Sequence, residues 1–297
     1  MSRIVVGYDG SEAAKTALTW AALQAQSRNA TLRVVHVVAP AVASDGFGYV
    51  VPVDVEVFQV MLQSASKALD EALVTTRAAH PELTIESEVR SGSASAELIK
   101  ESEHAEMVVI GSRGLGGFRG LLMGSVSTQV ATHGVAPTVV LRKESGDSGG
   151  PVVVGIDGSE LSNEALAFGF EYASLHALPL HVVHAWDVPT VDLVAVPAST
   201  FEALTDFENA EARAAAESLV GYSEKYPDVQ VKEVIQRGSP ITALLDAGKH
   251  ASLLVLGSRG HGEFVGAVLG SVSQAVLHRA HVPVAVVPHR TTRSEER

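Results

Sequence analysis

The sequence predicts an α/β fold written twice: two tandem copies of a five-stranded parallel sheet with helices on both faces. Three observations predict it. Apolar, β-rich runs alternate with helical patterns, which produces a parallel sheet covered on both sides. The continuous apolar runs Met107-Val108-Val109-Ile110 and Leu253-Leu254-Val255-Leu256 suit central strands buried on both faces. The chain also repeats itself. Val5-Val6-Gly7-Tyr8-Asp9-Gly10-Ser11-Glu12 recurs as Val153-Val154-Gly155-Ile156-Asp157-Gly158-Ser159-Glu160, identical at seven of eight positions. Residues 111–130 match 257–276 at 12 of 20 positions. A period near 147 residues is too long for a solenoid unit and marks a whole domain duplicated.

The elements of the first repeat follow in order. Ile4–Tyr8 reads as a strand. Glu12–Ser27 carries Ala13, Ala17, Trp20, Ala21 and Ala25 at helical spacing. Thr31–Val38 is a second strand, and residues 39–58 show no clear pattern. Val60–Ala79 reads as a helix, Thr84–Arg90 as a strand, and Ser95–Ser102 as a helix opened by a serine. Glu106–Gly111 is a strand, Val126–His133 a helix and Thr138–Leu141 the last strand. Lys143–Pro151 is polar and rich in Gly and Ser, a short linker. The domains expected are residues 1–144 and 150–290, with a frayed tail from Arg290.

Composition narrows function. Of 297 residues, 46% are hydrophobic and 19% charged, enough apolar material for two cores. The 34 acidic against 22 basic residues leave a net charge of -12, which repels a phosphate backbone, so no nucleic-acid partner is expected. The absence of cysteine removes disulfides, thiol catalysis and Cys-bound metals. No run approaches 18 apolar residues and a strand begins almost at once, so neither membrane span nor signal peptide is expected, and the expected location is cytoplasmic.

The most informative stretch follows the strand ending at Ile110. It reads Gly111-x2-Gly114-x9-Gly124-Ser125 and then a helix, and Gly257-x2-Gly260-x9-Gly270-Ser271 repeats the spacing. Glycines let main chain approach a phosphate, and the free N–H groups and dipole of a helix start favour an anion. Ser125 and Ser271 can cap the helix or donate to a phosphate oxygen. The bland alternative is a connecting turn; two copies at identical spacing favour nucleotide binding. No Gly-Lys-Ser/Thr occurs, so the loop is not a P-loop. It does not follow the first strand, and Arg119 breaks a Gly-x-Gly-x-x-Gly reading, so a dinucleotide fingerprint is also excluded.

Asp9-Gly10-Ser11 and Asp157-Gly158-Ser159 sit just past the carboxyl end of the first strand of each repeat, the edge where open α/β sheets bind ligands. Each Asp can accept from ribose hydroxyls or help hold Mg²⁺, or it can close an Asx-turn at the helix entry. Ser11 and Ser159 read as helix caps.

Asp9 and Asp157, paired with the two glycine loops, resemble the ATP-binding class of the universal stress protein family. The resemblance covers nearly the whole chain as a tandem two-domain member. It implies the strand order 3-2-1-4-5, ATP with Mg²⁺ or Mn²⁺, and a role in stress response or growth control. It implies Asp near the ribose, main chain at the end of the second strand near adenine, and the Gly/Ser loop on the phosphates. The candidates in the first repeat are thus Asp9, Val37, Gly111, Arg113, Gly114, Gly124, Ser125, Val126 and Ser127. In the second they are Asp157, Ala185, Gly257, Arg259, Gly260, Gly270, Ser271, Val272 and Ser273. No metal ligand and no catalytic residue is assigned. Contacts from 39–63 and 187–210, where the repeats differ most, stay open.

Other residues have blander readings. His36 and His184 match in the second strand, but His181 and His184 face opposite sides of a strand, so packed or hydrogen-bonded histidines are preferred to a zinc site. Arg113 and Arg259 suit a phosphate or partner contact as well as a solvated loop charge. Arg119 is matched by Val265 and His261 by Leu115, so neither serves both repeats. Trp20 and Phe168 read as core, and 210–217 as a helix with a solvated face.

Three functions compete: a nucleotide-binding regulator with a conformational output, a slow ATP-hydrolysing or phosphoryl-transfer enzyme, and a dimerisation scaffold with vestigial sites. The enzyme lacks an evident base or P-loop lysine. The scaffold does not account for two retained glycine patterns. The last strand of each repeat is an apolar edge that needs covering, which leads to the expectation of an intramolecular pseudo-dimer of the two domains and, on family grounds, a homodimer.

Overall fold

A computed structural model describes residues 2–40, 42–44, 50–52, 54–115, 123–143, 149–186, 213, 216, 219–260 and 269–289. The chain divides into two compact units, Met1–Ser145 and Gly146–Arg297.

In the first unit, strands β1 (Arg3–Gly7), β2 (Thr31–Val38), β5 (Ile85–Ser91), β6 (Met107–Gly111) and β7 (Thr138–Leu141) form a parallel sheet. Its order is β5-β2-β1-β6-β7, so β1 is central, with Ile4 opposite both Leu32 and Met107. That is order 3-2-1-4-5 within the unit. β6 is buried along Met107–Ile110, as its unbroken apolar run requires. Between β2 and β5, within the stretch that shows no sequence pattern, Val42–Ser44 (β3) pairs antiparallel with Val50–Pro52 (β4).

The helix Glu12–Ser27 packs on β1 and β6 through Ala13, Ala14, Ala17, Leu18, Ala21, Ala22 and Ala25. Alanines let its axis lie close to the sheet. The helix Val55–Ala79 packs on β2 and β5 and buries Ala65, Leu69 and Leu73. It starts five residues before the periodicity predicts, because Asp54 accepts a hydrogen bond from the Glu56 N–H and caps an exposed first turn that no apolar stripe announces. The helices Ala94–Ser102 and Ser125–His133 pack on each other and on the remaining sheet face.

The second unit repeats this plan. Strands β8 (Val152–Ile156), β9 (Leu180–Trp186), β10 (Val231–Arg237), β11 (Leu253–Gly257) and β12 (Val284–Val287) are parallel, in the order β10-β9-β8-β11-β12. The helices Glu160–His176, Pro240–Ala247 and Ser271–Arg279 take the matching places. Trp20 and Phe168, expected in the core, are only half buried. Phe170, two residues on, is fully buried and stacks on Tyr222 and Tyr226, with centroids 5.1 and 5.7 Å away. The helix expected at 210–217 lies largely outside the described residues.

One feature belongs to the first unit. Arg33 pairs with Glu101 at 3.0 Å and with Glu88, and Arg90 pairs with Glu88, Glu97 and Glu101 at 2.9, 3.0 and 2.6 Å. The second unit places His181, Gln236 and Val234 where Arg33, Arg90 and Glu88 stand. The hydrogen bond from Arg90, then that from Arg33, holds the Glu88 carboxyl below its ordinary value of 4.5. A carboxyl depressed on folding stabilises the unit above its unfolded pKa and loses that contribution as pH falls through the folded one. Glu88→Gln should therefore melt below the parent at pH 7, and the gap should close as pH drops below 4.5. The carboxylate is largely exposed, so the gap is at most about 1 kcal/mol. Calorimetric melts across pH check it.

Candidate functional site

Each unit has a cavity at the carboxyl ends of its central strands, about 270 Å³ in the first and about 440 Å³ in the second. The order within each sheet reverses between the first and fourth strands of the unit, so the cavity sits where open α/β folds bind ligands. Every candidate named from the sequence lines one of them. Asp9, Val37, Gly111, Arg113, Gly114, Gly124, Ser125, Val126 and Ser127 come together in the first. Asp157, Ala185, Gly257, Arg259, Gly260, Gly270, Ser271, Val272 and Ser273 come together in the second. Residues 116–122 and 261–268 of the loops, with Arg119, His261 and Val265, lie outside the described residues, as does 187–210.

The local chemistry explains how the loop is held. Asp9 Oδ1 accepts from the Ser11 N–H and Oδ2 from the Leu115 N–H, both at 3.0 Å. The Asx-turn at the helix entry is therefore present, and Asp9 also ties the glycine loop to the end of β1. A carboxylate has about four acceptor positions, which leaves capacity for a ligand hydroxyl. Gly10, at φ +83°, supplies the left-handed turn between Asp9 and the cap. Ser11 caps Glu12–Ser27, as expected, by accepting from the Ala14 N–H at 3.2 Å, and its own hydroxyl donates to the Arg113 carbonyl at 3.2 Å. This second hydrogen bond to the loop is a role that the sequence does not reveal. In the second unit Asp157 Oδ1 accepts from the Ser159 N–H and hydroxyl at 3.0 and 2.6 Å, and Ser159 again caps its helix.

The glycines divide by role. A Cβ on Gly114 would overlap Asp9 Oδ2, and one on Gly260 would overlap Asp157 Oδ2. Here a bare main chain lies against the carboxylate inside the cavity. Gly111 differs: its Cβ would lie 2.8 Å from the Ala13 carbonyl carbon and 2.9 Å from the Ala14 nitrogen. Gly111 thus serves the contact between β6 and the helix Glu12–Ser27, a packing role that neither the ligand reading nor the connecting-turn reading contains.

The serines of the loop also need correction. Gly124 and Gly270 are the N-cap residues, without side-chain caps, and Ser125 and Ser271 are the first helical residues. They do not cap the helix. Ser127 is buried and its hydroxyl donates to the Ser112 carbonyl at 2.9 Å, while Ser273 donates to the Gly257 carbonyl at 2.7 Å. These hydroxyls hold the helix start against the preceding strand. The first three N–H groups of each helix have no intrahelical acceptor, and their residues line the cavity.

The histidines behave as packed residues. His184 Nδ1 lies 3.1 Å from the Ile156 carbonyl in a buried position. His36 packs edge-on to Tyr8, and burial pushes its pKa down while Asp9 pulls it back up. Among the described residues no cluster of His, Asp or Glu has the geometry of a metal site. Among the same residues no helix is long and apolar enough to cross a membrane.

The sequence profile of the universal stress protein family matches residues 1–142 and again 150–288. The chain belongs to the universal stress protein family. A universal stress protein of Mycolicibacterium smegmatis is 36% identical over 297 residues, 97% of each chain. One from Mycobacterium tuberculosis is 37% identical over 302 residues, 95% of this chain and 94% of that one. Among solved structures, a universal stress protein from Archaeoglobus fulgidus shares the fold with a TM-score of 0.67, at 23% identity over 96% of this chain and 98% of that one. Tandem duplication is thus common to this universal stress protein and its mycobacterial relatives, each matched over nearly its full length.

Proposed function

We propose that each unit binds one adenine nucleotide, ATP with Mg²⁺ or Mn²⁺, and that occupancy sets the conformation of a cytoplasmic stress-response regulator that works as a homodimer. The observation that carries this reading is the polar end of the two cavities, which has the same residues at the same spacing in both units: Arg113, Gly114, Gly124 and Ser125 match Arg259, Gly260, Gly270 and Ser271. The residues fit the ligand. Helix-start N–H groups meet phosphate oxygens, with the helix dipole in support. The Arg113 and Arg259 side chains add positive charge at the same end. Asp9 and Asp157 offer acceptors to ribose hydroxyls. Val37 and Ala185 lie at the far, apolar end, which suits a base. The nucleotide supplies the phosphate charge and the cleavable anhydride.

Among the described residues beside the loop, none is arranged to drive cleavage. Asp9 is engaged by two main-chain N–H groups, and the described loop residues include no lysine. Transferring a phosphoryl group needs charge on it and an oriented attacker. Turnover is expected to stay below the usual enzymic range of about 1–10³ per second. Calorimetric titration should saturate at two ATP per chain, and mass spectrometry of protein purified without added nucleotide should find ATP. Zero stoichiometry would leave the scaffold reading; copurified ADP with steady hydrolysis would leave the enzyme.

A further inference from the structure

The cavities can be aligned position by position. At the glycine-loop end Gly111, Arg113, Gly114 and Gly124 to Ser127 match their counterparts in the second unit, and the second cavity also reaches Leu269 and Gln274. Away from the loop, Tyr8 is replaced by Ile156, Ala14 by Ser162, Val37 by Ala185, Ala94 by Pro240 and Ile110 by Leu256. The second cavity is larger, about 440 against 270 Å³. Among these exchanges Tyr8 to Ile156 and Val37 to Ala185 remove bulk, and the second of them stands at the tip of the second strand. Ser162 does not reclaim the space as a free donor, because its hydroxyl donates to the Ser159 carbonyl at 2.7 Å.

We infer that the two sites are not equivalent: Val37 restricts the first to an unsubstituted base, while Ala185 lets the second accept a nucleotide enlarged on the base. The inference rests on the nucleotide reading above. The direction follows from the placement of the donors. Among the described lining residues the anion donors lie at the loop, so the base lies at the opposite, apolar end, bounded by Val35, Val37 and Leu98 in one unit and Val183, Ala185 and Leu244 in the other. The shared glycine loops fix where the ligand is anchored, and the differing walls then decide how large its far end can be. Selectivity by pocket size is limited but real, on the order of 10–200-fold per methylene-sized difference.

The test uses the full chain and two probes, ATP and N⁶-benzyl-ATP, with stoichiometry read by titration calorimetry. The expected result is two ATP per chain and one N⁶-benzyl-ATP. Gly260→Val should take the benzyl analogue to zero, and Gly114→Val should leave it at one. Val37→Ala should raise it to two, a gain that misfolding cannot produce, and Ala185→Val should abolish it. Zero or two analogues bound by the parent chain, or a Val37→Ala variant still binding one, overturns the inference. Zero ATP overturns the nucleotide reading instead, so the two failures are distinguishable.

Discussion

Gly114→Val is expected to reduce bound ATP from two per chain to one while the first unit stays folded. The new Cβ would overlap Asp9 Oδ2. Asp9 must then turn away, which gives up its hydrogen bond to the Leu115 N–H, and the branch projects into the cavity. Gly114 is exposed and has no positive φ, so the loop can shift without unfolding its unit. A lost hydrogen bond to a charged group costs about 1.5–3 kcal/mol. A melting point lower by several degrees at most is therefore expected. Gly260→Val should do the same to the second site through Asp157. Titration of each variant checks the pair. A stoichiometry that remained two would remove the loop from the site.

The second large effect is at Gly111, and it differs in kind. Gly111→Ala places its Cβ 2.8 and 2.9 Å from main-chain atoms of Ala13 and Ala14. Those atoms cannot rotate away as a carboxylate can. Either β6 or the helix Glu12–Ser27 must move, and that helix covers β1 and β6 through seven buried small or medium residues. Overpacking of this sort costs about 1–3 kcal/mol, and a branched Val costs more. The melt of ligand-free protein should show the first unit destabilised, with the second unaffected. The apo melt separates the two glycines: Gly111→Ala lowers it without any ligand, whereas Gly114→Val acts chiefly on binding. An unchanged apo melt for Gly111→Ala would return Gly111 to the ligand.

The two glycines also show why the site was only partly legible in advance. Their spacing was plain in the sequence, since both copies carry it. Their roles were not, because one Cβ direction faces a helix and the other faces Asp9, and spacing along a chain carries no direction in space. The same holds for the serines. Gly-Ser before a helix suggested a serine cap, yet the chain turns one residue earlier, so glycine takes the N-cap place and Ser127 turns inward to the Ser112 carbonyl. The early start of the helix Val55–Ala79 was hidden for another reason. Its first turns are exposed, and an exposed helix end has no apolar stripe to announce it.

By itself, the sequence determined the α/β class, the duplication, the five parallel strands of the first unit to within a residue or so, and nine of the residues that line each cavity. Strand runs, periodicity and repetition are local or translational signals, and these are what a linear pattern can carry. The strand order came from a family likeness and was met in both units. Only the tertiary structure decided that Asp9 holds the loop as well as facing the cavity, that Ser11 reaches Arg113 across more than a hundred residues, and that the two cavities share their glycine-loop residues but differ along the strands. Each of these depends on which way a side chain points and on what a distant segment places opposite it, and packing alone supplies both.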